Sequence, residues 1–288
     1  MKKIIFFGLL LFSITNAQDS LKNIIYSIND LNNAVAYLKC TYIETQVIDG
    51  KEYEVWLKNL KDKKIEPKTF SITGTGIFVQ SKKNLYLITA SHVAKSMNNN
   101  TDVFFRGEYD LPLTLKLNDI TNNGSLKWLH NDSADVAIIQ LMMNERTLKN
   151  YFQKRFLPIE CIVDSLIAPT RETLLTAIGF PLGLGTDKYF SPLTLQTHAS
   201  SGLLELRRSD NKRLSTFFVC ENPSIGGYSG APIVDLSIYK MGSMVTTGSG
   251  TRLVGIMHGT ISDETGGKLS AIVPSKFIID LIKKYEYK

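Results

Sequence analysis

From Ser71 onward the chain is a run of short apolar segments separated by turn residues, at 76–79, 85–89, 103–106, 113–117, 126–129 and 136–141, then 174–178, 193–197, 202–206, 216–220, 232–235, 252–257 and 269–273. Segments of this length are too short for self-sufficient helices, and their spacing is that of strands in an antiparallel sandwich or barrel. Their number suits two barrels better than one. Only the last stretch breaks the pattern. Pro274-Ser275 is a helix start signal, and Phe277, Ile278, Leu281, Ile282 and Tyr285 follow at helical spacing. The chain is therefore expected to be all-β and closed by one helix.

The N-terminus is of another kind. Lys2 and Lys3 precede an apolar run from Ile4 to Phe12, and Thr15-Asn16-Ala17 supplies small residues for a cut. This is the layout of a secretory signal peptide over residues 1–17, which predicts a secreted or periplasmic protein and is set aside from the fold. Past it, no stretch approaches the roughly 20 apolar residues of a membrane-spanning helix. The formal charge of +6 includes Lys2 and Lys3, and the basic clusters at 61–64 and 283–284 are short and interrupted. That is a solvated surface, not a nucleic-acid footprint. Cys40, Cys161 and Cys220 are too few and too scattered for a disulfide scaffold or a zinc site, and buried apolar thiols are expected. In residues 18–68 the pattern predicts weak helix over 21–38, a strand over 34–42, a hairpin about Asp49-Gly50 and a charged loop over 58–68.

Three segments carry chemistry. In Gly226-Gly227-Tyr228-Ser229-Gly230-Ala231-Pro232 a hydroxyl sits where the backbone must turn tightly and bare its amides. Ser229 is a candidate nucleophile there, with the Gly227 and Ser229 amides facing a developing oxyanion. In Leu87-Ile88-Thr89-Ala90-Ser91-His92 a histidine directly follows a strand, suited to a general base. In Asp135-Val136-Ala137-Ile138-Ile139 a carboxylate leads into a strongly apolar strand, so it needs a partner. Each has a blander reading: a turn before a strand, a surface histidine, a strand cap. His130 and His198 lack ligand spacing and receive no role.

Together, in the order His92, Asp135, Ser229, these segments resemble the triad motifs of trypsin-like (chymotrypsin-fold) serine endopeptidases, in a bacterial HtrA-like or glutamyl-endopeptidase-like branch without a PDZ domain. Thr75-Gly76-Ile77-Phe78, Ala177-Ile178-Gly179-Phe180-Pro181 and Val254-Gly255-Ile256-Met257-His258-Gly259 match further strands of that family. The resemblance implies two six-stranded antiparallel Greek-key β-barrels and a C-terminal α-helix. It places barrel 1 at about 69–165, barrel 2 at about 166–273 and the helix at 274–288, with residues 18–68 as an extension packing on the first barrel. It further implies a protein or peptide substrate and no metal or other cofactor. By the same resemblance Ser224, Met257, His258, Gly259 and Thr260 line the substrate pocket, where His258 with Ser224 suggests an acidic side chain and the want of a carboxylate disfavours a basic one. Tyr228 departs from the aspartate that animal digestive members carry beside the nucleophile. That departure keeps one other reading open, a protease fold whose activity is restrained or lost and which serves in binding. An esterase of another fold would need a different serine elbow and a histidine last in the chain.

Overall fold

The computed structural model describes residues 26–58, 64–121, 127–241, 244–248 and 250–287. The signal segment expected at 1–17 lies outside the described residues. Most of the regular structure among the described residues is strand, chiefly in two large and mainly antiparallel sheets, with three small two-stranded ones beside them. The first sheet comprises β1 (Val35–Ile43), β2 (Thr69–Gln80), β3 (Leu85–Thr89), β4 (Asp102–Arg106), β5 (Pro112–Lys116), β6 (Leu129–His130), β7 (Ala137–Leu141) and β8 (Leu157–Pro158). Its order is β6-β7-β3-β2-β1-β4-β5, with β8 lying parallel on β2. The second comprises β9 (Leu175–Gly179), β10 (Leu193–Thr197), β11 (Leu204–Arg207), β12 (Leu214–Cys220), β13 (Pro232–Asp235), β14 (Arg252–Ser262) and β15 (Lys268–Pro274), in the order β10-β9-β13-β14-β15-β12-β11. Each sheet thus exceeds the expected six strands, and two-residue pieces such as β6 and β8 account for part of the excess in the first.

The N-terminal segment is more than an extension. β1 pairs with β2 from Val35↔Ile77 to Ile43↔Thr69 and with β4 at Tyr37↔Phe104, so it is an interior strand of the first sheet. The boundary expected at residue 69 falls inside that sheet. What projects from it is the arm between β1 and β2. The hairpin about Asp49-Gly50 is there, with positive φ at both turn residues as a two-residue turn of this type requires. Of the charged loop expected over 58–68, residues 59–63 lie outside the described residues, and on either side of them Trp56–Lys58 pairs antiparallel with Ile65–Pro67. A short helix, α1 (Ile28–Ala34), opens the described chain on a Ser27/Asp30 capping box, shorter than the pattern over 21–38 suggested.

The sheets share one core. Tyr37, Ile77, Ile88 and Val136 of the first meet Ile178, Phe180, Phe217 and Val273 of the second in a single buried cluster. The rings of Tyr37 and Phe180 lie 5.6 Å apart across the junction. The closing helix α2 (Lys276–Glu286) lays Ile278, Ile279, Leu281 and Ile282 into the same cluster. Burying an aliphatic side chain of this kind stabilises by about 1.5–3 kcal/mol, which fixes the two sheets' relative position. The three cysteines are buried free thiols. Burial pushes Cys161 up to about 11 and Cys220 up to about 12, so neither is a nucleophile at neutral pH. No helix among the described residues is long and apolar enough to cross a membrane.

Candidate active site

Asp135 is the centre of the site. Asn131 shapes its approach: the Asn131 side-chain oxygen accepts from the Ser133 amide (2.9 Å) and the Ala134 amide (3.1 Å), folding 131–134 into a tight turn. The turn delivers Asp135 to a fully buried position just before β7. Four donors then meet the two carboxylate oxygens. His92 gives its backbone N–H to Oδ1 at 3.0 Å and its ring Nδ1 to Oδ2 at 2.6 Å. The Arg208 guanidinium reaches Oδ1 at 2.8 Å, and His258 Nδ1 reaches Oδ2 at 2.5 Å. A carboxylate has about four acceptor positions, so this one is saturated. Burial pushes the Asp135 carboxyl up, but the hydrogen bonds from His258 and His92 outweigh it. The group is held well below the usual carboxylate range.

His92 lies in a single helical turn, Ser91–Ala94, that starts where β3 ends. The first amides of such a turn have no partner within it, which leaves the His92 N–H free for Asp135. Its ring is about a quarter exposed, so the far edge faces the cleft while Nδ1 is bound inward. His258 enters from the second sheet. Met257 and Gly259 pair with the consecutive residues Ile272 and Ala271, which leaves His258 as the extra residue of a β-bulge in β14. Bulges re-aim side chains, and this one turns the imidazole onto Asp135. The two rings stand edge to face, 5.6 Å apart.

The nucleophile candidate sits on a loop built from backbone. Gly227 (φ 100°) and Gly230 (φ 85°) take conformations that side chains resist. A Cβ on Gly230 would lie 2.2 Å from both Thr75 O and Thr89 Oγ1. Thr75 stitches this loop to the first sheet. Its amide donates to Ser229 O at 2.9 Å, its hydroxyl donates to Gly227 O at 2.8 Å, and that hydroxyl accepts from the Phe180 amide at 3.1 Å. The Gly226 carbonyl accepts from the Leu182 amide at 2.6 Å. Because the peptide is trans and planar, the Gly227 N–H points the opposite way. Ser229 Oγ donates to the His258 carbonyl at 3.2 Å in this rotamer. Tyr228, the unusual neighbour, is buried in the second sheet's core and donates to Leu193 O at 3.3 Å. It fills space behind the loop.

The five residues expected at the substrate pocket divide. Ser224, Gly259 and Thr260 are partly exposed, and Thr260 Oγ1 donates to Ser224 O at 2.7 Å, tying the loop to the strand. Met257 lies in the second sheet's core. His258 is 4% exposed with both ring nitrogens engaged, so it has no atom left to read a substrate side chain. The expectation of an acid-reading histidine at 258 is corrected accordingly. Sequence reasoning missed Arg208, whose ordinary place in a charged turn hid its role, and Thr75, quoted only as part of a strand. His130, given no role, is half-buried against Ser91 Oγ at 2.8 Å, and burial lowers its pKa.

His92, Asp135 and His258 place three metal-ligating atoms within 4.8 Å of one another. The donor chemistry speaks against an ion. The Ser209 backbone N–H donates to His258 Nε2 at 3.3 Å, so Nε2 is an acceptor and Nδ1 holds the proton. Both rings meet Oδ2 at hydrogen-bond length, and a cation would displace those protons beside the Arg208 charge.

Two packed β-sheets of this kind, closed by a C-terminal helix, are the fold of the chymotrypsin-like serine peptidases. The comparisons agree. The family model described as "Trypsin-like peptidase domain" matches residues 74–239, and the chain belongs to that family of serine endopeptidases. No curated protein sequence matches the chain significantly. Among solved structures it is similar to the HtrA-type protease AlgW with a decapeptide, at 16% identity and TM-score 0.52, over 90% of this chain and 66% of that one. It is also similar to the Rv3671c protease of M. tuberculosis in its active form, at 14% identity and TM-score 0.49, over 89% of this chain and 82% of that one.

Proposed function

We propose that the protein is an exported serine endopeptidase in which Ser229 is the nucleophile, His92 the general base and Asp135 the residue that orients the base and stabilises its imidazolium. The observation that carries this reading is the saturated Asp135 carboxylate beneath His92, with Ser229 Oγ on the His258 carbonyl close by. Asp135 holds the His92 proton on Nδ1, leaving Nε2 as the basic lone pair on the exposed edge. A turn about the Ser229 side chain moves Oγ from the His258 carbonyl toward that lone pair. Oγ then attacks the peptide carbonyl as His92 takes its proton, and the imidazolium returns the proton to the leaving amine. The Gly227 and Ser229 amides donate to no other group among the described residues, and the oxyanion forms against them. Substrates are proteins or peptides, read at the side chain before the cut by the surfaces of Ser224, Gly259 and Thr260. These carry no charge, so a neutral residue is preferred. The segment 1–17 directs export.

Ser229→Ala tests the assignment. Hydrolysis of a peptide library is expected to fall by several orders of magnitude, with the fold unchanged by circular dichroism. Undiminished turnover would remove Ser229 from its role. Wild-type protein that neither cleaves the library nor reacts with a fluorophosphonate would support the binding-protein reading instead.

A further inference from the structure

We propose that Arg208, Asp210 and His258, all from the second sheet, are positioning residues that clamp Asp135 and set the pH above which His92 acts as base. The inference rests on the triad reading above.

The geometry starts with Arg208, which follows β11 and is 2% exposed. Its Nη2 donates to Asp135 Oδ1 at 2.8 Å and to Asp210 Oδ2 at 2.7 Å, and its Nε donates to Asp210 Oδ1 at 2.8 Å. A guanidinium is planar and permanently charged, so this fork grips Asp210 at two points and turns the remaining Nη2 proton to Asp135. Between them, Ser209 sends its backbone N–H and its side chain to His258 Nε2, at 3.3 and 3.0 Å. An amide N–H can only donate, so His258 is fixed as the neutral tautomer with its proton on Nδ1. That proton is shared with Asp135 Oδ2, which already accepts from His92. Three consecutive residues of one turn therefore determine how the first sheet's carboxylate is held.

The charges decide the consequence. With His92 in its base form and His258 in the tautomer described, two carboxylates and one guanidinium leave the cluster with a single negative charge. Protonating His92 during the reaction brings it to neutrality. Without Arg208 the same ring would face two uncompensated carboxylates, hold its proton to higher pH and fail as a base near neutrality. Without Asp210 it would lose its proton more readily, and the imidazolium formed in the reaction would be less stabilised. The same turn also carries Arg207, Lys212 and Arg213, all exposed to solvent, and on the first sheet's side His130 lies against Ser91 with Lys95 and Asp132 near it. All of these groups are unchanged in the variants below.

The test is the pH dependence of Ser229 inactivation by diisopropyl fluorophosphate, read as a second-order rate from about pH 5 to 9 in the full chain, with the labelled residue identified by mass spectrometry. In Arg208→Gln the acid limb is expected to rise by about one pH unit, a rate loss of about fivefold at the wild-type midpoint. In Asp210→Asn it is expected to fall by about half a unit. Arg208→Lys, which keeps the charge, is expected to return the limb to within about 0.3 units of wild type. A merely structural role would lower the folded fraction and leave the limb in place. Limbs that stay put, or move the same way in both neutral variants, overturn the proposal while leaving the triad intact. If Arg208→Gln does not fold, Asp210→Asn decides alone, and a limb unmoved or shifted upward overturns it. Wild-type protein that is never labelled at Ser229 overturns the triad reading and this proposal with it.

Discussion

The two sheets contribute to the cleft by different physical means. The first supplies side chains held by other side chains: a buried carboxylate with every acceptor position filled, and an imidazole pinned to it at two points. Beside the side chains that clamp Asp135, the second supplies shaped backbone: a loop with glycines at positive φ, its carbonyls tied to the amide and hydroxyl of Thr75 and the amide of Leu182. The first arrangement fails when a charge loses its partner. The second fails when a methyl group is added where no space exists. The comparison therefore predicts two kinds of damage, one electrostatic and one steric.

The largest effect is expected at the carboxylate. Asp135→Asn preserves the shape but presents an amide where His92 and His258 both offer protons, so His92 cannot keep the tautomer that leaves Nε2 basic. A loss of roughly ten-thousandfold in kcat is expected from peptide hydrolysis at neutral pH, the size seen when this role is removed elsewhere. A loss below tenfold would mean that Asp135 is structural and that the side-chain half of the comparison is wrong.

Gly230→Ala probes the other half. The added methyl would lie 2.2 Å from Thr75 O and Thr89 Oγ1, and φ would remain at 85°. The loop must shift, and a drop of about a hundredfold or more in kcat is expected, because oxyanion donors work only when correctly placed. Unchanged kinetics would show that the loop's backbone geometry does not matter to turnover. Thr75→Val is gentler. It removes the hydroxyl between Gly227 O and Phe180 N, leaving buried polar groups unpaired at a cost of about 1–3 kcal/mol. Chemical denaturation is expected to show that loss, with kcat reduced by about tenfold. Full stability in this variant would break the claim that Thr75 joins the two sheets.

These differences also explain what the sequence revealed and what it concealed. Ser229 and its glycines, His92 after β3 and Asp135 before β7 are local patterns, each confined to a few neighbouring residues, and they could be recognised in order. The hairpin about Asp49-Gly50 is likewise local. The clamp on Asp135 is not. Arg208 lies 73 positions from its carboxylate, in a turn whose Arg-Ser-Asp sequence looks like any solvated loop. His258 was legible as a residue near the site, yet its direction depends on a bulge set by pairing with β15, which alternation along β14 does not encode. The same holds for β1: its strand pattern was visible, but its place inside the first sheet comes from pairing across the whole arm. The strand pair Trp56–Lys58 and Ile65–Pro67 was hidden because five of its six residues are exposed and show no buried face.

The smallest expected effect sharpens the comparison by taking the carboxylate motif to the surface. Glu286, at the end of α2, accepts from Tyr86 at 3.0 Å and from Asn84 at 3.2 Å, and also from Ser81. Burial pushes it up, the hydrogen bonds from Ser81, Tyr86 and Asn84 bring it down, and the net result is a lowered pKa. Its folded value lies below the unfolded one, so its contribution is complete above the ordinary glutamate range near 4.3 and is lost as pH falls through the folded value. Glu286 is partly exposed and its donors are mostly uncharged, so solvent limits that contribution to less than about 1 kcal/mol. Glu286→Gln should therefore lower stability slightly at pH 7 and flatten its decline between about pH 5 and 3, measured by urea unfolding, with kcat unaffected. Asp135 shares the sign but is fully buried, so Asp135→Asn should flatten the same decline far more steeply. An equal response in the two variants would show that burial and the charged donors on Asp135 add nothing beyond what hydroxyls and an amide provide.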